Sequence, residues 1–292
     1  MILHINPCVD VVFKAILGSE HHTRLLIHFI NAILSLEGDH RVTRVTLRNP
    51  FNGKDKLNSK GCVVDVKAYD QLNRDFQIEI QVGVHGALLE RMLYNWACIY
   101  QDKIKQGEDY SKLEPVYAIW LLAENLPALP THVPGFPRMG KSAGLNQEER
   151  QRCDDLHVPF GIYSPTAGLY LSQHLAIHVV QLKKLATDVK IEDDRARWIY
   201  FFLNGENLDP DNLPKFMDTV EMREAMSIAE TFAETRENHH LYLSRLDEYR
   251  TKLTIRNEYE QIKAELERER AEKERLLALL READIPVNKS SQ

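Results

Sequence analysis

The amino-acid sequence predicts an α/β fold: a helix, three strands, a helix and a strand within residues 1–122, followed by a mostly α-helical C-terminal region. Three observations carry this expectation. Two β-branched segments, residues 62–70 (CVVDVKAYD) and 75–82 (DFQIEIQV), are separated only by Gln71-Leu-Asn-Arg74, a spacing that makes them a hairpin. Segments with apolar residues at helical spacing lie on both sides of that hairpin. From residue 218 to 283 nearly everything reads as charged helix.

The elements follow in order. Residues 8–36 have helical periodicity through Val11, Phe13, Ile16, Leu17, Leu25, Leu26, Phe29, Ile30, Ile33 and Leu34, with a break expected near Gly18–Ser19. Residues 41–47 (RVTRVTL) alternate like a half-buried strand, and residues 53–60 read as a polar loop. After the hairpin, residues 86–106 return to helical spacing through Leu89, Met92, Leu93, Trp96, Ile99, Tyr100 and Ile104, and Gly107 is a natural stop. Residues 116–122 (VYAIWLL) form an apolar run suited to a buried strand. Residues 127–137 and 141–153 read as polar connections, 168–185 as a strand and a helical turn, and 195–203 (RARWIYFFL) as an aromatic helix. The expected division is residues 1–205 for the first domain, with its core at 1–122, and 206–292 for a helical extension. Within that extension Ile255, Tyr259, Ile262, Leu266, Leu276 and Leu280 fall on heptad a and d positions, interrupted by Glu269 and Lys273. This predicts a coiled coil over 255–283 that pairs two copies, or else a solvated helix with one face packed on the body.

Composition narrows the functional classes. With 43% hydrophobic and 27% charged residues, the 292-residue chain has the make-up of a soluble globular protein. A net charge of -6 argues weakly against a nucleic-acid binder, since such domains are often basic; a local basic patch or a bound cation offsets a mildly acidic average. Cys8, Cys62, Cys98 and Cys153 are widely spaced, which disfavours a zinc knuckle or a disulfide framework and suits a reducing cytosol. The opening MILHINPCVDVVFK lacks the charged lead and apolar run of a signal peptide, and no stretch is apolar enough to span a bilayer. The expected location is cytoplasmic.

The hairpin is where chemistry is legible. Asp65 and Lys67 leave one face of the first strand, and Glu79 and Gln81 leave one face of the second. Folding about Leu72–Asn73 brings Asp65 and Glu79 towards one another. Two carboxylates at one spot share a proton or hold a divalent cation. The competing reading is plain ion pairing of Lys67 with Asp65 or Glu79 across an exposed strand face. On the next helix Arg91, Asn95, Cys98, Asp102 and Lys105 form a polar stripe, in which Arg91 would hold a phosphate. Tyr94 reads as core or as support for the site. His174 and His178 are four apart, but in a segment read mostly as strand, so they do not form a zinc pair.

These residues resemble a known family. Asp65, followed by Glu79-Ile80-Gln81, in helix–strand–strand–strand–helix–strand order, is similar to the PD-(D/E)xK nuclease superfamily. Within it, the chain resembles the branch of transposase-like, recombination-promoting nucleases, where E-x-Q often replaces E-x-K. Asp10-Val-Val-Phe13-Lys14 resembles that branch's D-x-x-F-K, Phe29-Ile30-Asn31 its F-L-N, and Val64-Asp65-Val66-Lys67-Ala68 its L-D-V-K-A. Arg91, Tyr94, Gly107 and Tyr110 follow in order, and residues 177–185 and 198–203 are similar to its later segments. The resemblance covers residues 1–205 and is strongest over the first 122.

The resemblance implies a restriction-endonuclease-like αβββαβ core with a mixed sheet. It implies that Asp65, Glu79 and the Ile80 carbonyl ligate Mg²⁺ (or Mn²⁺), and that Gln81, Lys67 and Asp10 complete the catalytic set. Gln81 departs from the superfamily's lysine: it hydrogen-bonds a water but supplies no positive charge, which Lys67 would then provide. Lys14 and Arg91 would contact substrate. The implied activity is DNA endonuclease of low sequence specificity, mobile-element or recombination-associated. The alternative is a catalytically inactive nuclease fold serving as a DNA-binding or regulatory module.

Overall fold

The structure, a computed structural model, describes residues 5–49, 51–52, 62–83, 87–126, 129, 156–164, 166–185 and 191–282. The N-terminal helical periodicity resolves into α1 (Asp10–Leu17) and α2 (Thr23–Leu34), joined through a 3₁₀ turn at Glu20–His22. Gly18 ends α1 by donating its N–H to Lys14 O at 2.8 Å. A Cβ at Gly18 would stand 2.9 Å from Lys14 O and 3.3 Å from Val66 Cγ2, so glycine lets the helix end approach the sheet. Asn31, buried on α2, clasps the following segment: its Nδ2 donates to Val42 O at 2.8 Å and its Oδ1 accepts from Val42 N at 2.9 Å.

Ten strands follow: β1 (Val45–Leu47), β2 (Phe51–Asn52), β3 (Cys62–Val63), β4 (Val66–Asp70), β5 (Asp75–Gln81), β6 (Val116–Leu122), β7 (His157–Phe160), β8 (Tyr163–Ser164), β9 (Leu169–Tyr170) and β10 (Leu175–Gln181). Six of them form one sheet in the order β1-β4-β5-β6-β10-β7. The β5–β6 and β6–β10 pairs are parallel and the others antiparallel, so the sheet is mixed, as expected. Between β5 and β6 runs α3 (Leu88–Gln101), whose Leu88 and Met92 pack on Ala118, Trp120 and Leu122 of β6.

On the α1–α2 side lie α4 (Asp194–Asn204) and α5 (Val220–Phe232). Phe13 meets Phe202 with ring centroids 5.4 Å apart, and Phe29 meets Trp198 edge-on at 5.5 Å. All four rings are at most 2% exposed. Each contributes roughly 1.5–3 kcal/mol of burial free energy, which ties the later helices to the first two. The compact unit continues through Leu246. The helix α6 (Arg236–Glu282) starts in this unit, and residues 247–292 form a second one. In that second unit Ile255, Tyr259, Ile262, Leu266 and Leu276 are exposed.

Several expected elements are shorter or broken, for identifiable reasons. Only residues 45–47 of the expected 41–47 strand pair with β4, because β4 ends at Asp70 opposite Val45. Beyond it the Gln71 side chain replaces the ladder: Oε1 accepts from Thr43 N and Arg44 N, and Nε2 donates to Arg41 O. The expected 62–70 strand breaks at Val64–Asp65, β3 pairing with β2 in a separate two-stranded sheet. The 86–106 helix ends at Gln101, and the 218–283 helix is interrupted at residues 233–235 before α6. Leu93, expected on the packed face of α3, is 52% exposed, and Tyr94, expected in the core or as support for the site, is 40% exposed, which leaves it outside the core. Asn95, placed on the polar stripe, is instead buried. The apolar face of α3 is set by Leu88, Met92 and Ile99, which carries Asn95 inward with it. The loops expected at 53–60, 130–137 and 141–153 lie outside the described residues. No described helix is long and apolar enough to cross a membrane.

Candidate active site

The interruption of the strand at Asp65 creates the site. Val66 pairs with Ile78, so Asp65 falls opposite Glu79 just where the β4 ladder stops. In place of a backbone carbonyl, the Asp65 carboxylate completes the pattern: Oδ2 accepts the Ile80 N–H at 3.0 Å. That bond holds Asp65 against Glu79, whose side chain is 3% exposed. Glu79 is pushed up to about 8, first by burial and then by the neighbouring Asp65 charge. At neutral pH Glu79 therefore favours its protonated form.

Two cations border the pair. Lys14, from α1, places Nζ 2.9 Å from Asp65 Oδ1 and 3.6 Å from Asp10 Oδ2. Burial opposes the charge on Lys14, but the Asp65 and Asp10 carboxylates outweigh it and hold the ammonium above the usual lysine range. Arg91, from α3, donates Nη1 to Gln81 Oε1 at 3.1 Å and stands 3.6 Å from Glu79 Oε2. Its guanidinium lies over the Trp120 ring, 5.5 Å from the centroid, so one arginine touches both motif side chains while remaining partly open to solvent.

The structure thus brings together Asp65, Glu79, Gln81, Lys14 and Arg91. Gln81 is engaged at both ends of its amide, accepting from Arg91 and donating Nε2 to Gly83 O at 2.6 Å. Lys67 is 6% exposed and faces Gln77 across the ladder, one step from the carboxylate pair. The cation that touches Asp65 is Lys14, contributed by α1. Asp10 meets the cluster through Lys14 and also lies 3.9 Å from Arg245 Nε. Sequence reasoning missed that Asp10 and Lys14 act as one unit; their spacing of four on a helix is the signal that would have suggested it. It missed Arg245 too, for which no local signal exists.

The residues present fit a divalent cation. Two adjoining carboxyl groups, Glu79 buried and Asp65 half-buried, are what a cation would bridge, and Glu79 Oε1 is buried with no hydrogen-bond partner among the described residues. Among the described residues no group of three or more His, Cys, Asp or Glu side chains converges to hold a metal, so the protein side chains offered are this pair. The histidines stand apart: His174 bonds Tyr100 Oη, and His178 Nδ1 lies 2.9 Å from His157 Nε2. Burial, then neighbouring positive charge, lowers both His157 and His178 to about 4.

Residues 7–133 match the model of the PD-(D/E)XK nuclease family transposases, a stretch that contains every member of the cluster except Arg245. The mixed six-stranded sheet with its helical C-terminal region fits the restriction-endonuclease-like fold of that family. No curated protein and no solved structure matches the chain.

Proposed function

With residues 7–133 matched to that nuclease family, we propose that the protein is a metal-dependent DNA endonuclease, mobile-element or recombination-associated, that hydrolyses phosphodiester bonds with low sequence specificity. The observation that carries this reading is the adjoining pair Asp65 and Glu79, set at a break in the sheet with Lys14 on the first acid and Arg91 beside the second. A divalent cation, Mg²⁺ or Mn²⁺, would be held by Asp65, Glu79 and the Ile80 carbonyl, and it supplies Lewis-acid stabilisation and a more acidic water.

The chain's own residues then have definite tasks. Ile80 N–H orients Asp65 so that its second oxygen remains directed at Lys14. The Lys14 ammonium supplies positive charge that Gln81 lacks, and it orients a water or a phosphate oxygen beside Asp65. Gln81 positions Arg91, and the exposed part of the Arg91 guanidinium takes the scissile phosphate or its neighbour. Asp10 holds Lys14 in place. Lys67 adds positive charge from below the pair. Low specificity follows from the lack of a recognisable base-reading helix-turn-helix or zinc finger in the sequence. The acidic average charge, with a cytoplasmic location, suits a protein whose contact with DNA is local and metal-assisted. A second copy, paired through the heptad stripe of α6, completes the reading.

The test is cleavage of supercoiled plasmid with Mg²⁺, Mn²⁺ or EDTA, comparing wild type with Asp65→Ala and Glu79→Ala, and with a structured RNA in parallel. Metal-dependent nicking that disappears in both variants while DNA binding persists supports the reading. Folded wild type that binds DNA but nicks nothing under any metal would transfer the assignment to a binding or regulatory module.

A further inference from the structure

The charged residues beside the exposed stripe of α6 carry an orientation. Ile255, Tyr259, Ile262, Leu266 and Leu276 are 62, 65, 65, 44 and 53% exposed, an apolar row with no cover among the described residues of the second unit. With Tyr259 and Leu266 at a, and Ile255, Ile262 and Leu276 at d, the flanking g positions are Glu258 and Glu265 and the flanking e positions are Lys263 and Arg270. In a parallel two-stranded coil, each g residue meets the e residue of the next heptad in the partner.

We infer that the row is covered by a second copy of this chain in a parallel, in-register coiled coil, with Glu258 paired to the partner's Lys263 and Glu265 to the partner's Arg270. This rests on the self-association proposed above and adds its geometry. Both g–e pairs have opposite signs, and symmetry doubles them. Antiparallel stacking in the register that sets Tyr259 on Ile262 and Ile255 on Leu266 puts Glu258 against Glu265 and Arg256 against Lys263, like against like. It also leaves Leu276 opposite position 245 rather than an apolar residue. Glu269 and Lys273, which interrupt the stripe at d and a, each face their own copy in register, so these two layers are like-charged and weaken the seam there; a slip of one heptad would instead put either charge against an apolar position, at a cost in desolvation.

The full-length chain tests this in two steps. Sedimentation or light scattering must find a dimer; a monomer at every concentration overturns self-association itself. Spin labels on a non-natural residue at exposed position 257 or 278, in separate samples, then report orientation. Parallel in-register pairing gives short distances in both samples. Any antiparallel dimer makes at least one exceed about 30 Å, because the sites lie far apart at ~1.5 Å of rise per residue. Glu265→Lys should weaken the dimer several-fold, and Glu265→Lys with Arg270→Glu should restore it. Tightening by Glu265→Lys alone, or a long distance in either sample, overturns the parallel arrangement while leaving the dimer standing.

Discussion

Lys14 Nζ and Asp65 Oδ1 lie 2.9 Å apart, so a cation from the first helix touches the acid at the break in the sheet. The motif position that holds lysine in the wider superfamily holds Gln81 here, and an ammonium that touches the carboxylate pair comes from the first helix rather than from the same strand. Lys14→Met should therefore reduce nicking by at least about tenfold, the scale of one charge-assisted contact near a developing charge. Because Lys14 also lowers the Glu79 titration, the same variant should raise it further, which carboxyl NMR would read. An unchanged rate with a shifted Glu79 would confine Lys14 to an electrostatic role in the metal-free site.

Glu79 makes stability depend on pH in an unusual direction. Its folded-state value of about 8 lies above the ordinary glutamate value of 4.5, so between these limits the folded chain binds the extra proton. Stability of the metal-free protein should fall as pH rises from about 5 to 8, because the unfolded chain then binds fewer protons than the folded one. Thermal unfolding in EDTA should show Tm dropping by a few degrees over that range. Glu79→Gln should flatten the slope and raise Tm at pH 8. Addition of a divalent cation that binds only the folded state should reverse the loss in wild type and not in the variant.

Arg91 separates positioning from charge. It bonds Gln81, approaches Glu79 and lies over Trp120. Arg91→Ala should cut cleavage by about ten- to a hundredfold, with weaker DNA binding contributing to the loss. Arg91→Lys keeps the charge but not the fork that reaches both partners, and should recover binding more fully than turnover. Measuring KM and kcat separately for the two variants checks this; equal recovery of both would reduce Arg91 to a phosphate clamp.

Gly18 is a packing constraint with a catalytic consequence. An alanine there must move the end of α1 away from Lys14 O and Val66 Cγ2. Gly18→Ala should cost about 1–3 kcal/mol in denaturant unfolding. Since α1 carries Lys14, it should also lower activity more than an equally destabilising change elsewhere. Gly107→Ala makes a suitable comparison, because its site is open but its φ is 87°.

The central hairpin, the last core strand and the convergence of Asp65 with Glu79 are legible in the sequence because they depend on local alternation and a short turn. The break at Asp65 is not. Nothing in CVVDVKAYD announces that a carboxylate will take a ladder position, since the donor, Ile80 N–H, belongs to the neighbouring strand. Asn31 poses the same difficulty: it reads as a polar interruption in an apolar helix, and its clasp on Val42 appears only when the chain has turned. Helical spacing alone places Leu93 inward, whereas the packed face of α3 is rotated towards Asn95. The site's acids and its cations Lys14 and Arg91 are legible in the sequence; the contacts that set Lys14 on Asp65 and Arg91 on Gln81 are tertiary.

The row of β5 that contains Glu79 reads Asp75, Gln77, Glu79 and Gln81, every one buried. Asp75 is neutralised by Lys103 and Arg48, yet both amide atoms of Gln77 are without hydrogen-bond partners among the described residues. Such a side chain is a standing debt, since an apolar residue of similar shape would avoid the desolvation cost of about 1–3 kcal/mol. Gln77→Met should accordingly raise the melting temperature. A chain that keeps an amide there forgoes robustness in the middle of its own sheet, and directed evolution for thermotolerance alone should reach this position early.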